Sequence, residues 1–464
     1  MQVSTVIPKK LLLLFLLIPH VCFGETYYTR EDGTAANKEA TTSCDAAATA
    51  MSAATHNTQT FAPGDVICIC AEGGVLSTSS LTTSSSGAIN SYITYNGDCN
   101  STGTKAELQK SLSGINIDYT KFINLRFTTS LKGLVLLKGS SNNLVTYCDF
   151  SGLTQQGIFA SGLTNTAYAQ DWIIENSTFT NIGISSDSAS ADINIGGFGR
   201  RWTFKFNTHT GNGTAGVDGI NISNINVAGG DGAGHIIEDC SFTNYYENGI
   251  DLKGTRESSA EEGDTIIRRC TFIGGSGAEG QLHIQFNARG VVVDKCLFSD
   301  TNNNAISLVG HSTGNDAVGY VTVQNSVFDN IRNTIFTDRG LLNTEALGHN
   351  VLNYNIMQNS GQNTPGYSID IGSDNCIVMN NIFYHISQNS SSDMVIRVET
   401  TDNFNTLKLD YNQYDKLEVA NYYIVNNNGT LYTFLHVREV GKEINGKFTN
   451  AEVFSVPRDF KRVE

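Results

Sequence analysis

The stretch Ile237-Glu238-Asp239-Cys240-Ser241-Phe242 returns thirty residues later as Ile267-Arg268-Arg269-Cys270-Thr271-Phe272, and then as Val293-Asp294-Lys295-Cys296-Leu297-Phe298. The shared pattern is an apolar residue, two variable positions, a Cys, one variable position and a Phe. Further copies with Cys, Ser or Asn at the fourth place are Val145/Cys148/Phe150, Ile174/Ser177/Phe179, Val323/Ser326/Phe328 and Val378/Asn381/Phe383. Weaker copies fill the gaps at Phe122/Leu125/Phe127, Phe204/Asn207/His209, Val351/Tyr354/Ile356 and Leu409/Asn412/Tyr414. They recur about every 29 residues, so one repeat, not three separate domains, organises these 464 residues.

A second motif follows most copies: a small residue, then apolar-x-apolar. Gly219-Ile220-Asn221-Ile222, Gly249-Ile250-Asp251-Leu252, Leu282-His283-Ile284 and Ala305-Ile306-Ser307-Leu308 are examples. Alternation with period two and β-branched residues predicts short strands with one buried face. The Asn, Gly and Ser between them predict turns. No coil can bury its own apolar face, so stacking about 4.8 Å apart must build a shared core. The expected fold is all-β: a parallel β-helix of about 11 coils. The Cys file (Cys148, Cys240, Cys270, Cys296) and the Phe file lie inside it, the thiols as small buried groups rather than disulfides or metal ligands.

The parts divide as follows. Residues 1–24 read as a secretory signal peptide: Lys9 and Lys10, the apolar run Leu11 to Ile18, then small Gly24. That run is too short to span a bilayer. Residues 25–105 form an N-terminal cap and entry coils, with an Ala-rich helix expected over Ser43 to His56, capped by Ser43 or Asp45. The helix of coils occupies 106–420, and 421–464 is a capping tail carrying Arg438, Lys442, Lys447, Arg458, Lys461 and Arg462. In an exported chain Cys44, Cys68, Cys70 and Cys99 are placed for two disulfides, with three pairings open. Lys and Arg number 30 against 45 Asp and Glu, which argues against a nucleic-acid partner. The expectation is a secreted, water-soluble monomer without a membrane span.

One outward strip carries chemistry. Coil by coil, the outward residue of the second motif reads Val135, Phe159, Asn194, Asn221, Asp251, His283, Ser307, Phe336, Asp370 and Arg397. Lys253 and Gln285 lie two residues further on, and Asp218 and Glu247-Asn248 lie just before their strands. Such a strip suits a long polysaccharide. Uronate glycans are cut by β-elimination, in which a base takes the C5 proton beside the sugar carboxylate. Ca²⁺, held by six to eight oxygens, would neutralise that carboxylate and reconcile an acidic protein with an anionic substrate. Asn194, Asn221, Gln285 and Ser307 are the expected substrate contacts. The base is expected among His283 and Lys253, Lys253 being alternatively an ion-pair partner of Asp251.

The segments Pro63-Gly64-Asp65-Val66-Ile67, Leu76 to Gly87 and Tyr92-Ile93-Thr94-Tyr95 resemble the entry coils of secreted right-handed β-helix proteins of the pectin-lyase-like superfamily. Residue order at the strip resembles the family-9 pectate lyases. Asp218-Gly219 matches their first Asp-Gly turn, and Glu247-Asn248-Gly249-Ile250-Asp251 matches their Asp-Asp-Gly-x-Asp run with two substitutions. Their base position falls on His283, where they carry Lys. The resemblance implies Asp218, Glu247, Asn248 and Asp251 as calcium ligands. Two other readings share the strip: a non-catalytic carbohydrate-binding or cell-surface solenoid, and a glycoside hydrolase using Asp218, Glu247 and Asp251. Arg268 and Arg269 are expected to pair across coils with Glu238, Asp239 and Asp294.

Overall fold

The computed structural model describes residues 24–162, 168–184, 190–214, 216–223, 234–254, 264–275, 280–286, 288–302, 304–309, 318–339, 349–360, 367–384, 394–398, 401–415, 423–427, 430–432 and 447–449. Residues 1–23 of the proposed signal peptide and most of the C-terminal tail lie outside them.

Among the described residues the coils lay short strands into three long sheets, of 14, 13 and 14 strands, and these strands pair in parallel except at the C-terminal end of the third sheet. The first motif spans the first two sheets and the second motif forms the third, as in Thr265–Arg268, Thr271–Ile273 and Leu282–Gln285. The chain is thus a parallel β-helix, as the repeat predicts. Between first and second sheets the backbone turns through one residue in the left-handed region, for instance Asn124, Asn176, Asp239, Arg269 and Asn380. Asn tolerates that conformation best among residues with side chains, which accounts for its frequency at these corners.

Inside, like lies on like. Phe127, Phe150, Phe179, His209, Phe242, Phe272, Phe298 and Phe328 form one stack with ring centroids 4.6–5.0 Å apart. Beside it runs a polar file. Its side chains accept the backbone N–H of the matching residue one coil earlier: Cys148 N–H to Ser177 Oγ at 3.1 Å, Ser177 N–H to Asn207 Oδ1 at 3.0 Å, Cys296 N–H to Ser326 Oγ at 3.1 Å. The same holds for Ser326, Asn355 and Asn381 onto Asn355, Asn381 and Asn412, each at 3.0 Å. Buried N–H groups need partners, so from Cys148 onward the repeat's fourth position carries small or amide side chains that can accept. Cys148, Cys240, Cys270, Cys296 and Cys376 are buried free thiols.

Two registers differ from the sequence reading by one residue. Leu352 pairs with Val323 and Val378, so the weak copy is Leu352/Asn355/Met357; Tyr354 is the exposed corner residue. Thr337, not Phe336, follows Ser307 in the outward row, and Phe336 is buried between Ile306 and Ile369. In both places several apolar residues run together, and alternation alone does not say which of them faces in.

The N-terminal cap is also not one helix. It is a 3-10 turn at Ala47–Thr49 and a short helix at Ala53–His56, the latter capped by Ser52, whose Oγ accepts the Thr55 N–H at 3.1 Å. Between them Met51 bridges to Thr29, where backbone hydrogen bonds to Tyr28 and Arg30 satisfy the edge of the first sheet. Helix propensity loses here to the unpaired sheet edge. Disulfides Cys44–Cys70 and Cys68–Cys99 tie this cap down. At the other end Tyr423–Asn427 still extends the third sheet and Lys447–Thr449 the second.

Candidate functional site

Register brings the expected strip together. On the third sheet Asn194 pairs with Asn221, Asn221 with Asp251, Asp251 with His283, and His283 with Ser307. The row continues through Thr337, Asp370 and Arg397. Lys253 pairs with Gln285, and Asp218 with Asn248. Alternating neighbours Ile220, Ile222, Ile250, Leu252 and Ile284 face the core, which turns these polar residues outward.

The row differs from an open strip in its burial. Asn194, Asn221, Asp251, His283, Ser307, Thr337 and Asp370 are between 1 and 8% exposed. Part of the reason is cross-coil pairing: at strand spacing, long polar side chains of adjacent coils lie on one another. Lys253 Nζ sits 2.6 Å from Asp251 Oδ2, and the Gln285 amide donates to both Asp251 oxygens at 3.0 and 3.2 Å. That amide nitrogen also lies 3.2 Å from His283 Nδ1, which in turn is 3.8 Å from Asp251 Oδ1. Arg397 closes the far end with two 2.6 Å contacts to Asp370.

One coil earlier, Asp218 accepts the amides of Asn248 at 2.9 Å and Asn221 at 3.1 Å. Burial, then the negative charges of Asp251 and Glu247, raise its pKa well above the usual carboxylate range against the opposing pull of Lys253. Burial alone would lower Lys253, but the charge and hydrogen bond of Asp251, with Asp218 and Glu247 behind, outweigh it and hold the ammonium protonated. A lysine so held suits the ion-pair role rather than that of a base. Among the described residues Asn221 Oδ1 is buried without a hydrogen-bond partner. Glu247 is half-buried and lines a small open cleft with Tyr245, Tyr246, Gly275 and Gln281.

The calcium set needs converging oxygens. Here amide N–H groups occupy Asp218 and an ammonium faces Asp251, and among the described residues no three His, Cys, Asp or Glu side chains are grouped to hold a metal ion. In this arrangement the donors do not fit Ca²⁺, and no step below runs through it.

Sequence reasoning missed a second polar group. Asp192 is fully buried in the core; His209 Nδ1 lies 2.9 Å from its Oδ2, and the Tyr245 hydroxyl donates to the same oxygen. Burial raises Asp192, with His209 opposing. The signal was readable: His209 stands where other coils carry Phe, and Asp192 stands where they carry Gly157, Gly219 and Gly249. Of the expected cross-coil pairs, those on one side form: Arg268 and Arg269 both reach Glu238, and Arg269 reaches Asp239 at 2.7 Å, while Asp294 on the other side accepts the Asn325 amide at 2.7 Å instead.

No protein-family model matches the chain, and no curated protein matches it. Among solved structures the chain is similar to a mannuronic acid specific polysaccharide family 6 lyase from human gut microbiota (TM-score 0.46, 11% identity, 92% of each chain covered). It is also similar to pectate lyase Pel9A (TM-score 0.42, 14% identity, 78% of this chain and 80% of that one). A third is the Streptococcus pneumoniae surface protein and adhesin PfbA (TM-score 0.41, 11% identity, 84% and 90%). These are likenesses of fold, shared by lyases and an adhesin alike. Among the described residues no helix is long and apolar enough to cross a membrane.

Proposed function

We propose that this is an exported polysaccharide lyase acting on a uronate-containing glycan by β-elimination. The observation that carries the reading is the convergence of Lys253 and His283, from adjacent coils, on the buried carboxylate of Asp251. A small swing of the Gln285 amide away from Nδ1, with its bonds to Asp251 kept, turns the His283 Nδ1–H toward Asp251 Oδ1 and leaves the Nε2 lone pair free. His283 then takes the C5 proton. The C4–O bond breaks as the C4=C5 bond forms, and the imidazolium returns its proton to the departing sugar oxygen. Lys253, held cationic, meets the sugar carboxylate and stabilises the charge that develops on it. Asn194, Asn221, Ser307 and Gln285 offer hydrogen bonds to sugar hydroxyls.

The test is incubation with polygalacturonate, alginate and a glycosaminoglycan, following the ultraviolet absorbance of unsaturated ends. Product from one of them, lost in His283→Ala, is expected, and dialysis against EDTA should leave the rate unchanged. A requirement for added Ca²⁺ would return Asp218, Glu247, Asn248 and Asp251 to the role of ligands. New reducing ends without unsaturation would mean hydrolysis. Glycan binding with no product would mean a non-catalytic surface solenoid.

A further inference from the structure

The corner between the first and second sheets is in the left-handed region on successive coils, and there a bulky side chain is an outlier. Four of these corners nevertheless carry large aromatics: Tyr147, Phe206, Tyr354 and Tyr411, at φ between 51 and 58°. Packing does not explain them, because their exposures are 52, 57, 59 and 51%. Within each pair an Asn corner lies between: Tyr147, Asn176, Phe206 in the N-terminal half of the solenoid, and Tyr354, Asn380, Tyr411 toward its C-terminal end. The flanking strands are in register, Val145 to Ile174 to Phe204 and Leu352 to Val378 to Leu409. The rings of a pair are therefore two coils apart, about 10 Å along the axis.

Side chains held in a disfavoured backbone conformation and left in water point to a contact outside the chain. We propose that these two aromatic pairs are a glycan-binding edge, separate from the polar row of the third sheet. Its ligand is an extended pyranose chain lying along the solenoid axis. Two sugars of such a chain span about the distance between the rings of a pair. The C–H face of a pyranose is apolar and lightly positive, which matches the negative face of Tyr and Phe. Recognition would follow the sugar ring's flat face and not its carboxylate.

The inference rests on the proposed function only for the class of ligand. The experiment is affinity electrophoresis of the full chain through gels containing polygalacturonate, alginate or hydroxyethylcellulose. The variants are the doubles Tyr147→Asn/Phe206→Asn and Tyr354→Asn/Tyr411→Asn. Asn suits the corner, so thermal stability should be equal or higher. Retardation of the wild type by at least one polymer is expected, with Kd weakened tenfold or more in each double variant and the rate on a short oligosaccharide unchanged. No retardation of the wild type by any of the three overturns the inference, as does equal retardation of the variants. It also falls if the variants change only the sedimentation of the protein, which would make the edge a contact between copies. Absent turnover with intact, aromatic-dependent retardation would remove the lyase reading and leave this one standing.

Discussion

The interior file of Cys, Ser and Asn and the outward row of Asn, Asp, His and Ser are built alike. Both are polar, both are buried, and both climb the solenoid one residue per coil. Inside, each acceptor meets the N–H of the coil before it, and the chemistry hardly changes from Cys148 to Asn412. Outside, the residue type changes at every coil from Asn221 onward, two carboxylates and an ammonium crowd together, and Asn221 keeps an oxygen without a partner among the described residues. Uniform, satisfied ladders stabilise a fold. A varied row with Asp218 held against ionisation costs stability, and such costs gather where chemistry is done.

Asp251 and Asn381 give the sharpest test of that contrast. Asp251→Ala removes the partner of Lys253 and Gln285 and should lower turnover by about 10²–10⁴-fold. The double variant Asp251→Leu/Lys253→Met removes the stranded charge and should recover the melting temperature without recovering turnover. Asn381→Ala does the opposite. It strips the acceptor from the Asn355 N–H and the donor from Leu352 C=O. The expected loss is about 2–4 kcal/mol by denaturant unfolding, with turnover per folded molecule unchanged. Equal effects on both readouts in both variants would erase the distinction.

Ionisation sharpens it further. Asp338 faces inward, where the Asn350 amide donates at 2.7 Å and Ser373 donates its hydroxyl, yet burial pushes its pKa up to about 6. A carboxyl raised in the folded state contributes most below its unfolded value and loses that contribution as pH climbs to its folded one. The wild type should therefore lose on the order of 2–3 kcal/mol between about pH 4 and 6, and Asp338→Asn should flatten the curve. Asp218, raised by burial and by the charges of Asp251 and Glu247, follows the same sign. Asp218→Asn should match the wild-type melting temperature in acid and exceed it increasingly toward alkaline pH. A constant difference across pH would mean that Asp218 ionises freely.

How far such effects are visible in a sequence depends on what the residue answers to. The Cys and Phe files answer to one repeated environment, so coil after coil spells the same instruction and the fold is legible. The candidate site answers to neighbours about thirty residues away. Register from the repeat put Asp251 beside His283 and Lys253 beside Gln285, and the coordinates agree. Burial of that row was not legible, because single-strand alternation distinguishes core from outside but not outside from covered. Asp192 was missed for a related reason. A lone Asp in a Gly position looks like a turn residue until His209 and Tyr245, on later coils, are seen to close on it.

The mildest change probes how interchangeable the interior file is. Cys270 accepts the Cys240 N–H and donates weakly to Ile237 C=O at 3.5 Å and Arg268 C=O at 3.4 Å. Ser177, at the equivalent place, accepts an N–H at 3.1 Å and donates to the carbonyl two residues before it at 2.9 Å. Cys270→Ser should thus keep every bond, exchange weak sulfur contacts for stronger oxygen ones, and give back slightly less volume to the Cys240 and Cys296 thiols on either side. The expected cost is about 1 kcal/mol or less, with turnover intact. Cys270→Ala, which leaves the Cys240 N–H without an acceptor, should cost clearly more. If Ser and Ala cost the same, the file is held by packing alone, and hydrogen bonding is not what sets it apart from the outward row.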